Sequence, residues 1–402
     1  MLKEQAVVVV AVINMRISSI LSSFAFSFVF IMCLLTLNVV SGSAEAAVLQ
    51  EDRIDVLYHS YDGGGMNIDG PSILLRKKIG ETLAVSAYYY VDTISSASVD
   101  VMSTASPYEE DRNEAQLGLE YLHEKTIIDL SIRQSDEDDY LGKSINLNIS
   151  QDTFGDLTNL SLGIAYGDNE IKRNGDEIFA EQSQQYRLKF GLSQILTRNL
   201  AMNLNFEAVA DEGYLNNPYR TVRYVDNNQP AGVGYQSEVY PNTRNSFASK
   251  ISASYYLPYR AAIFLHYRYF SDSWEIDASD VELSYRQPIA ESFEIEFKVR
   301  YYQQTQASFY SDLFEYRDAQ NYLARDKELS EFDDITLGVG LTYLVPSKYS
   351  FGDLRSEASL QWDYIKFDYN NFRDPTAGGG IGTEPLYGFS ANVIRIFYSL
   401  YF

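Results

Sequence analysis

"NVIRIFYSLYF" (392–402) ends the sequence, and its spacing decides how the rest is read. In steps of two, Ile394, Ile396, Tyr398, Leu400 and Phe402 are large and apolar, while Arg395, Phe397, Ser399 and Tyr401 between them are mixed. Period two is the spacing of a strand, so one face of this strand is apolar as far as Phe402. In water such a face belongs to an exposed edge that invites aggregation. Against lipid, on the closing strand of a barrel, it is satisfied. The same alternation is the expected signal for the outer-membrane insertion machinery, carried by Ile394, Ile396, Tyr398, Leu400 and Phe402.

Working outward, the pattern repeats. "FEIEFKVRYYQ" (293–303) sets Phe293, Ile295, Phe297, Val299 and Tyr301 on one face, with Glu294, Glu296, Lys298 and Arg300 on the other. "DITLGVGLTYL" (334–344) puts Ile335, Leu337, Val339, Leu341 and Tyr343 opposite Thr336, Gly338, Gly340 and Thr342. The three- and four-residue spacing of an amphipathic helix is not seen in these segments. About sixteen such runs follow one another: 53–61, 71–79, 83–95, 113–123, 126–135, 139–151, 158–168, 179–196, 200–213, 243–257, 261–274, 278–287, 293–308, 334–345, 355–369 and 387–402. Short connections such as "GET" (80–82), "EK" (124–125) and "TRN" (197–199) alternate with longer polar ones at 96–112, 169–178, 214–242, 309–333 and 370–386. That alternation predicts an all-β chain folded as a transmembrane antiparallel up-and-down β-barrel, with short periplasmic turns and long extracellular loops. A soluble sandwich or propeller also alternates, but no blade-length repeat is present, and charge in the middle of so many strands suits a lumen better.

Composition agrees. The chain holds 33 Tyr and 22 Phe against 2 Trp, and tyrosine suits both strands and membrane–water boundaries. A formal net charge of -23 excludes ordinary nucleic-acid binding, which needs cations against phosphates. Residues 1–46 are expected to be a signal peptide: Arg16 precedes a long apolar run, and Ala44 and Ala46 flank Glu45 at the cleavage site. Met15 is an alternative start, and an uncleaved anchor is the competing reading. The sequence from 47 to 402 then forms the outer-membrane barrel domain. Cys33 is the single cysteine, so 47–402 has no thiol with which to build a disulfide, a thiolate metal site or a covalent haem attachment.

If the apolar face meets lipid, the other face lines the lumen. The candidate lining residues are Arg187, Lys189, Glu207, Lys250, Arg268, Glu282, Arg286, Glu294, Glu296, Lys298 and Arg300. They either shape ion passage or pair across strands and fill the interior. In the loop at 211–241, Arg220 and Arg223 interleave with Tyr219 and Tyr224, and are placed either to meet an anion or to pin the loop. The acidic runs "YEEDRNE" (108–114), "SDEDDY" (135–140) and "RDKELSEFDD" (325–334) lack calcium-loop spacing and read as solvated charge, so no metal is expected. The three histidines, His59, His123 and His266, are scattered, and no catalytic residue, cofactor or enzyme activity is expected.

"EDRIDVLYHSYDGGG" (51–65), "DGPSILLRKKIGE" (69–81), "SAYYYVDTISSASVDVMSTASPYEEDR" (86–112) and "GYLNNPYRTVRY" (213–224) together resemble the bacterial domain-of-unknown-function family 3570. The run from Gly70 to Arg112 is the most specific part. The resemblance implies an outer-membrane protein. It also implies genomic neighbours of lipoprotein, thioredoxin-like and flavin-attaching types, and hence a partner role in an extracytoplasmic redox system. Two function classes follow. One is a porin-like channel for small polar solutes or ions. The other is a non-conducting barrel acting as scaffold or conduit for a periplasmic protein partner. In both, the surroundings are outer-membrane lipid and lipopolysaccharide.

Overall fold

The computed structural model describes residues 48–96, 108–350, 352 and 354–402. The signal-peptide reading of 1–46, with Ala44 and Ala46, lies outside the described residues. Strands β1 (Arg53–Gly63), β2 (Met66–Ile79), β3 (Leu83–Ser96), β4 (Tyr108–His123), β5 (Thr126–Asp136), β6 (Tyr140–Thr153), β7 (Thr158–Arg173), β8 (Asp176–Thr197) and β9 (Leu200–Gly213) run in order. A long loop then carries a small hairpin, β10 (Thr221–Val225) and β11 (Val233–Ser237). The wall resumes with β12 (Thr243–Tyr256), β13 (Ala262–Asp272), β14 (Asp277–Ile289), β15 (Phe293–Gln304), β16 (Phe332–Val345), β17 (Arg355–Arg373) and β18 (Leu386–Tyr401). Sixteen of these strands close into one antiparallel barrel, with β1 paired to β18, and β10–β11 forms a separate two-stranded sheet.

Closure satisfies every strand edge, which is what permits a sheet to stand in lipid. At the seam Arg53 pairs with Tyr401, Val56 with Tyr398 and Tyr58 with Ile396. The Phe402 N–H donates to the Asp52 carbonyl at 3.1 Å, and the Lys77 ammonium lies 4.7 Å from the Phe402 ring centroid. Turns at the two ends differ in kind. At the end holding the seam termini, β4–β5 and β8–β9 are joined by two residues each, Glu124–Lys125 and Arg198–Asn199. At the opposite end the β1–β2 turn uses Gly64 (φ 61°) and Gly65 (φ 76°), the left-handed pair that a tight two-residue hairpin demands. The long connections 214–242, 305–331 and 374–385 all fall at that opposite end.

The two faces of the wall are chemically distinct. Outward residues are exposed and apolar: Leu117 and Leu119 on β4, Ile164 on β7, Leu265 on β13, Phe297 on β15, Leu337 on β16 and Ile396 on β18. Toward the loop end the belt turns to tyrosine, whose hydroxyls reach polar groups there. Tyr58 donates to Asp69 at 2.8 Å, Tyr89 to Asn113 at 2.9 Å and Tyr269 to Asp277 at 2.6 Å. An apolar ring with a wet hydroxyl marks a membrane–water boundary. The other face is concave, and charged side chains meet across it from strands that are not neighbours. Arg76 of β2 holds Glu120 of β4 at 2.5 Å, and Lys298 of β15 holds Asp363 of β17 at 2.8 Å.

Much of the well-buried apolar packing lies above the wall, in a cap. Tyr240, Trp274, Ile276, Ala307, Phe309, Tyr310, Ala324, Leu329, Tyr369 and Phe372 form one buried cluster, against which the inward rings Phe270, Phe332, Phe367 and Phe389 pack. A second cluster, Val222, Phe314 and Leu323, joins the β10–β11 hairpin to loop 305–331. Bridges from Tyr224 to Phe314 and from Val239 to Leu323 extend the hairpin into that loop.

Candidate functional site

All eleven candidate lining residues alternate with at least one outward apolar neighbour and so fall on the inner face. Glu294, Glu296, Lys298 and Arg300 stand between the exposed Phe293, Phe297, Val299 and Tyr301, and Arg187 stands between Tyr186 and Leu188. Glu282 lies between Val281 and Leu283. The structure then divides them. On the β14–β18 side the cations have carboxylates. Arg286 meets Glu294 at 3.2 Å and Glu296 at 2.9 Å, and Arg300 meets Asp280 at 3.6 Å and Asp334 at 3.3 Å. Arg395 shares Asp363 with Lys298. On the β8–β13 side, Lys189 reaches Glu207 at 3.5 Å, while Lys250 and Arg268 face each other in register across β12 and β13.

Two histidines sit in this lumen, each with a buried aspartate. His59 Nε2 lies 2.6 Å from Asp92 Oδ1 and its ring stacks on Tyr90 with centroids 5.2 Å apart. Gly70 separates them on β2, opposite His59 in register, and so leaves the path from β1 to β3 open. A Cβ there would lie 1.8 Å from the Val91 carbonyl oxygen. His266 Nε2 lies 2.9 Å from Asp280 Oδ1, beside Arg300. The sequence indicated an inward His266 but not the His59–Asp92 pair, whose only signal is the glycine between them.

The loop arginines are both taken up by carboxylates of the cap. Arg223, 3% exposed at its side chain, donates to Glu384 at 2.5 Å and to Asp312. Arg325 also meets Asp312, at 3.1 Å, and covers the Phe372 ring at 4.5 Å. Arg220 meets Asp326, with Glu328 at 3.9 Å. Arg220 and Arg223 thus each meet carboxylates of this chain. Buried charges of this kind stand because each is matched and hydrogen-bonded.

Beside the cap, toward β4–β8, the mouth keeps a cavity of about 1100 Å³. Its wall carries Glu110, Glu114, Glu137 and Asp139, and its cap side carries Asn216, Tyr219, Arg220 and Asp326. Tyr219 crosses the opening. Its hydroxyl accepts from the Asn174 N–H at 2.7 Å and donates to Asp139. Glu110, Glu137 and Asp139, from two acidic runs far apart in sequence, bring carboxylate oxygens within 4.8 Å of one another. Glu110 lies beyond the tyrosine boundary at Asn113. Burial, then the charges of Asp139, Glu137 and Asp138, push its carboxyl up to about 7. A proton retained there relieves the repulsion of the trio. In the cap, burial and the nearby Asp326 push Glu238 up to about 7. It accepts from the Arg325 N–H at 2.7 Å and the Tyr240 hydroxyl at 2.5 Å.

At the other end the chain enters β1 from inside the wall. Leu49 is buried against the inward Ala84 and Leu122, and Arg76 donates to the Gln50 and Glu51 carbonyls.

A closed barrel with an apolar outer belt, a tyrosine boundary and a charged inner face is a transmembrane β-barrel. The chain matches the family described as "Protein of unknown function (DUF3570)" over residues 97–183 and 179–388, and it belongs to that family. No curated protein matches the chain. Among solved structures, it is similar to a "Bacterial polysaccharide outer membrane secretin" at 8% identity and TM-score 0.48, covering 89% of this chain and 100% of that one. The siderophore receptor PirA from Acinetobacter baumannii is similar at 11% identity and TM-score 0.43, covering 88% of this chain and 60% of the receptor. The "CymD monoaromatic hydrocarbon channel" is similar at 11% identity and TM-score 0.42, covering 88% and 89%.

Proposed function

We propose that the protein is a porin-like channel of the bacterial outer membrane, passing small polar solutes or ions. The cavity of about 1100 Å³ beside the cap carries this reading, because among the described residues it leaves a polar, charge-lined opening between cap and wall. The eleven inner-face charges below it would hold water and set selectivity. The short turns then face the periplasm and the cap faces outward. Outer-membrane lipid and lipopolysaccharide surround the belt, and the insertion machinery reads the β18 ending.

The second reading, a non-conducting barrel that scaffolds a periplasmic partner, draws support from the turn end. There Leu49, Gln50 and Glu51 lie against the inner wall under Arg76, narrowing the passage. Single-channel recording of refolded residues 47–402 in a planar bilayer separates the two. Discrete steps in potassium chloride are expected. A folded, heat-modifiable barrel that passes no current would overturn the channel and favour the scaffold.

A further inference from the structure

The inner wall between β6 and β13 contains a recess of about 310 Å³. Gly191 lies in its lining, and Gly163 stands next to Asn148 beside it. A Cβ on Gly191 would lie 2.4 Å from Ser161 Oγ and 3.3 Å from Asn205 Oδ1, and one on Gly163 would lie 3.3 Å from Asn148 Oδ1. Around them stand the cations Lys189, Lys250 and Arg268, with Glu207 as the one carboxylate of the lining.

Two features of this recess act together. Lys250 and Arg268 are register partners on antiparallel strands, an arrangement in which like charges repel, and Asp280, the partner of Arg268 on β14, is engaged by His266 and Arg300. Neither has an ion-pair partner among the described residues, whereas Arg286, Lys298, Arg300 and Arg395 all do. In a chain with 55 Asp and Glu against 32 Lys and Arg, carboxylates are not scarce. An opposed, unpaired pair of cations beside a polar hollow therefore fits a negative charge that arrives from outside. Lys189 is held only loosely by Glu207, at 3.5 Å with both side chains partly exposed, so it can turn to the same guest.

We propose that this recess binds small multivalent anions bearing carboxylate or phosphate groups, with Lys250 and Arg268 as the main contacts and Lys189 as the third. Arg268 can fork onto two oxygens and Lys250 supplies a point charge. Asn148, Ser161 and Asn205 offer hydrogen bonds to the uncharged part of the guest. The proposal rests on the channel reading for its supply of solute, and it makes the lumen a station for anions in a protein whose overall charge is strongly negative.

Calorimetric titration of the full barrel, folded in detergent, with citrate and separately with pyrophosphate tests this, alongside bilayer recording with the same anions. Saturable binding of at least one is expected, with block of current over the same concentration range. Lys250→Gln combined with Arg268→Gln should weaken it at least tenfold while the barrel stays heat-modifiable, and Arg268→Lys, which keeps the charge but loses the fork, should fall between the two. Response to citrate alone would assign carboxylates, and response to pyrophosphate alone phosphates. A conducting wild type that binds neither, or a double variant that binds as well as wild type, would overturn the recess and leave the channel standing. Binding that depends on Lys250 and Arg268 in a barrel that never conducts would keep the recess and remove the channel.

Discussion

The wall and the cap of this protein are held by different means. The wall presents its large side chains outward, where Leu117, Ile132, Phe297 and Leu337 are more than half exposed in the isolated chain and lipid must cover them. The cap covers its own. Of the five largest fully buried side chains, Phe372, Leu323, Val222 and Ser330 belong to the cap or its junction with β17, and only Ser356 lies elsewhere in the wall. The cap also encloses the Arg223–Asp312–Glu384 ion pairs. The wall is thus a membrane structure stabilised by closure and solvent, and the cap resembles a small soluble core set upon it. If this is right, the two should fail separately.

The largest effect is expected at the seam. Deleting Phe402 removes the N–H bonded to Asp52, the ring beneath Lys77 and the end of the proposed insertion signal. Most heat-modifiable barrel should vanish from the membrane fraction, taking the cap with it. Normal assembly would break the view that closure governs the wall. Next comes Phe372→Ala, which empties a fully buried site and should cost the cap about 3–5 kcal/mol. Loops should become sensitive to protease while the barrel remains heat-modifiable. Loss of both together would show a single cooperative unit.

The smallest effect is in pH. Folded Glu238 keeps its proton up to about 7, above its ordinary value of 4.5, so the folded cap binds a proton that the unfolded loops release. The cap is therefore firmest below about 4.5 and weakens as pH rises through 7, by about 3 kcal/mol in all. Glu110 acts in the same direction, discounted for its exposure. Trp274, buried in the cap, reports this in a Trp362→Phe background. Its urea midpoint should be higher at pH 5 than at pH 8, and Glu238→Gln should flatten most of the difference. An unchanged slope in that variant would remove Glu238 from the account.

The wall was legible from sequence because lipid outside and charge inside impose a two-residue period on every strand. The runs read at 53–61, 200–213 and 355–369 lie on β1, β9 and β17, and the count of wall strands is sixteen. Errors fall where that period lapses. β4 begins at Tyr108 rather than 113 and β7 continues to Arg173 rather than 168, because beyond the membrane both faces are polar. β2 begins at Met66, before the Gly70–Pro71 step that hid its first turn of alternation. β15 stops at Gln304, short of 308, where the chain leaves the wall to join the cap. The β10–β11 hairpin was missed, since five-residue strands within a turn-rich loop carry no period. Inner-face position was legible for Lys298 and Arg300, but their partners were not. Asp363 and Asp334 lie on other strands, and only the folded register says which acid each cation meets.

The pairing of β1 with β18 makes the barrel's completion a matter of timing. One edge of β1 is covered by its neighbour β2, and the other stays bare until β18 pairs with it. A sheet of these strands without that pairing keeps two unpaired edges. The bond from Phe402 to Asp52 therefore marks a closed cylinder: it forms only where β18 lies along β1.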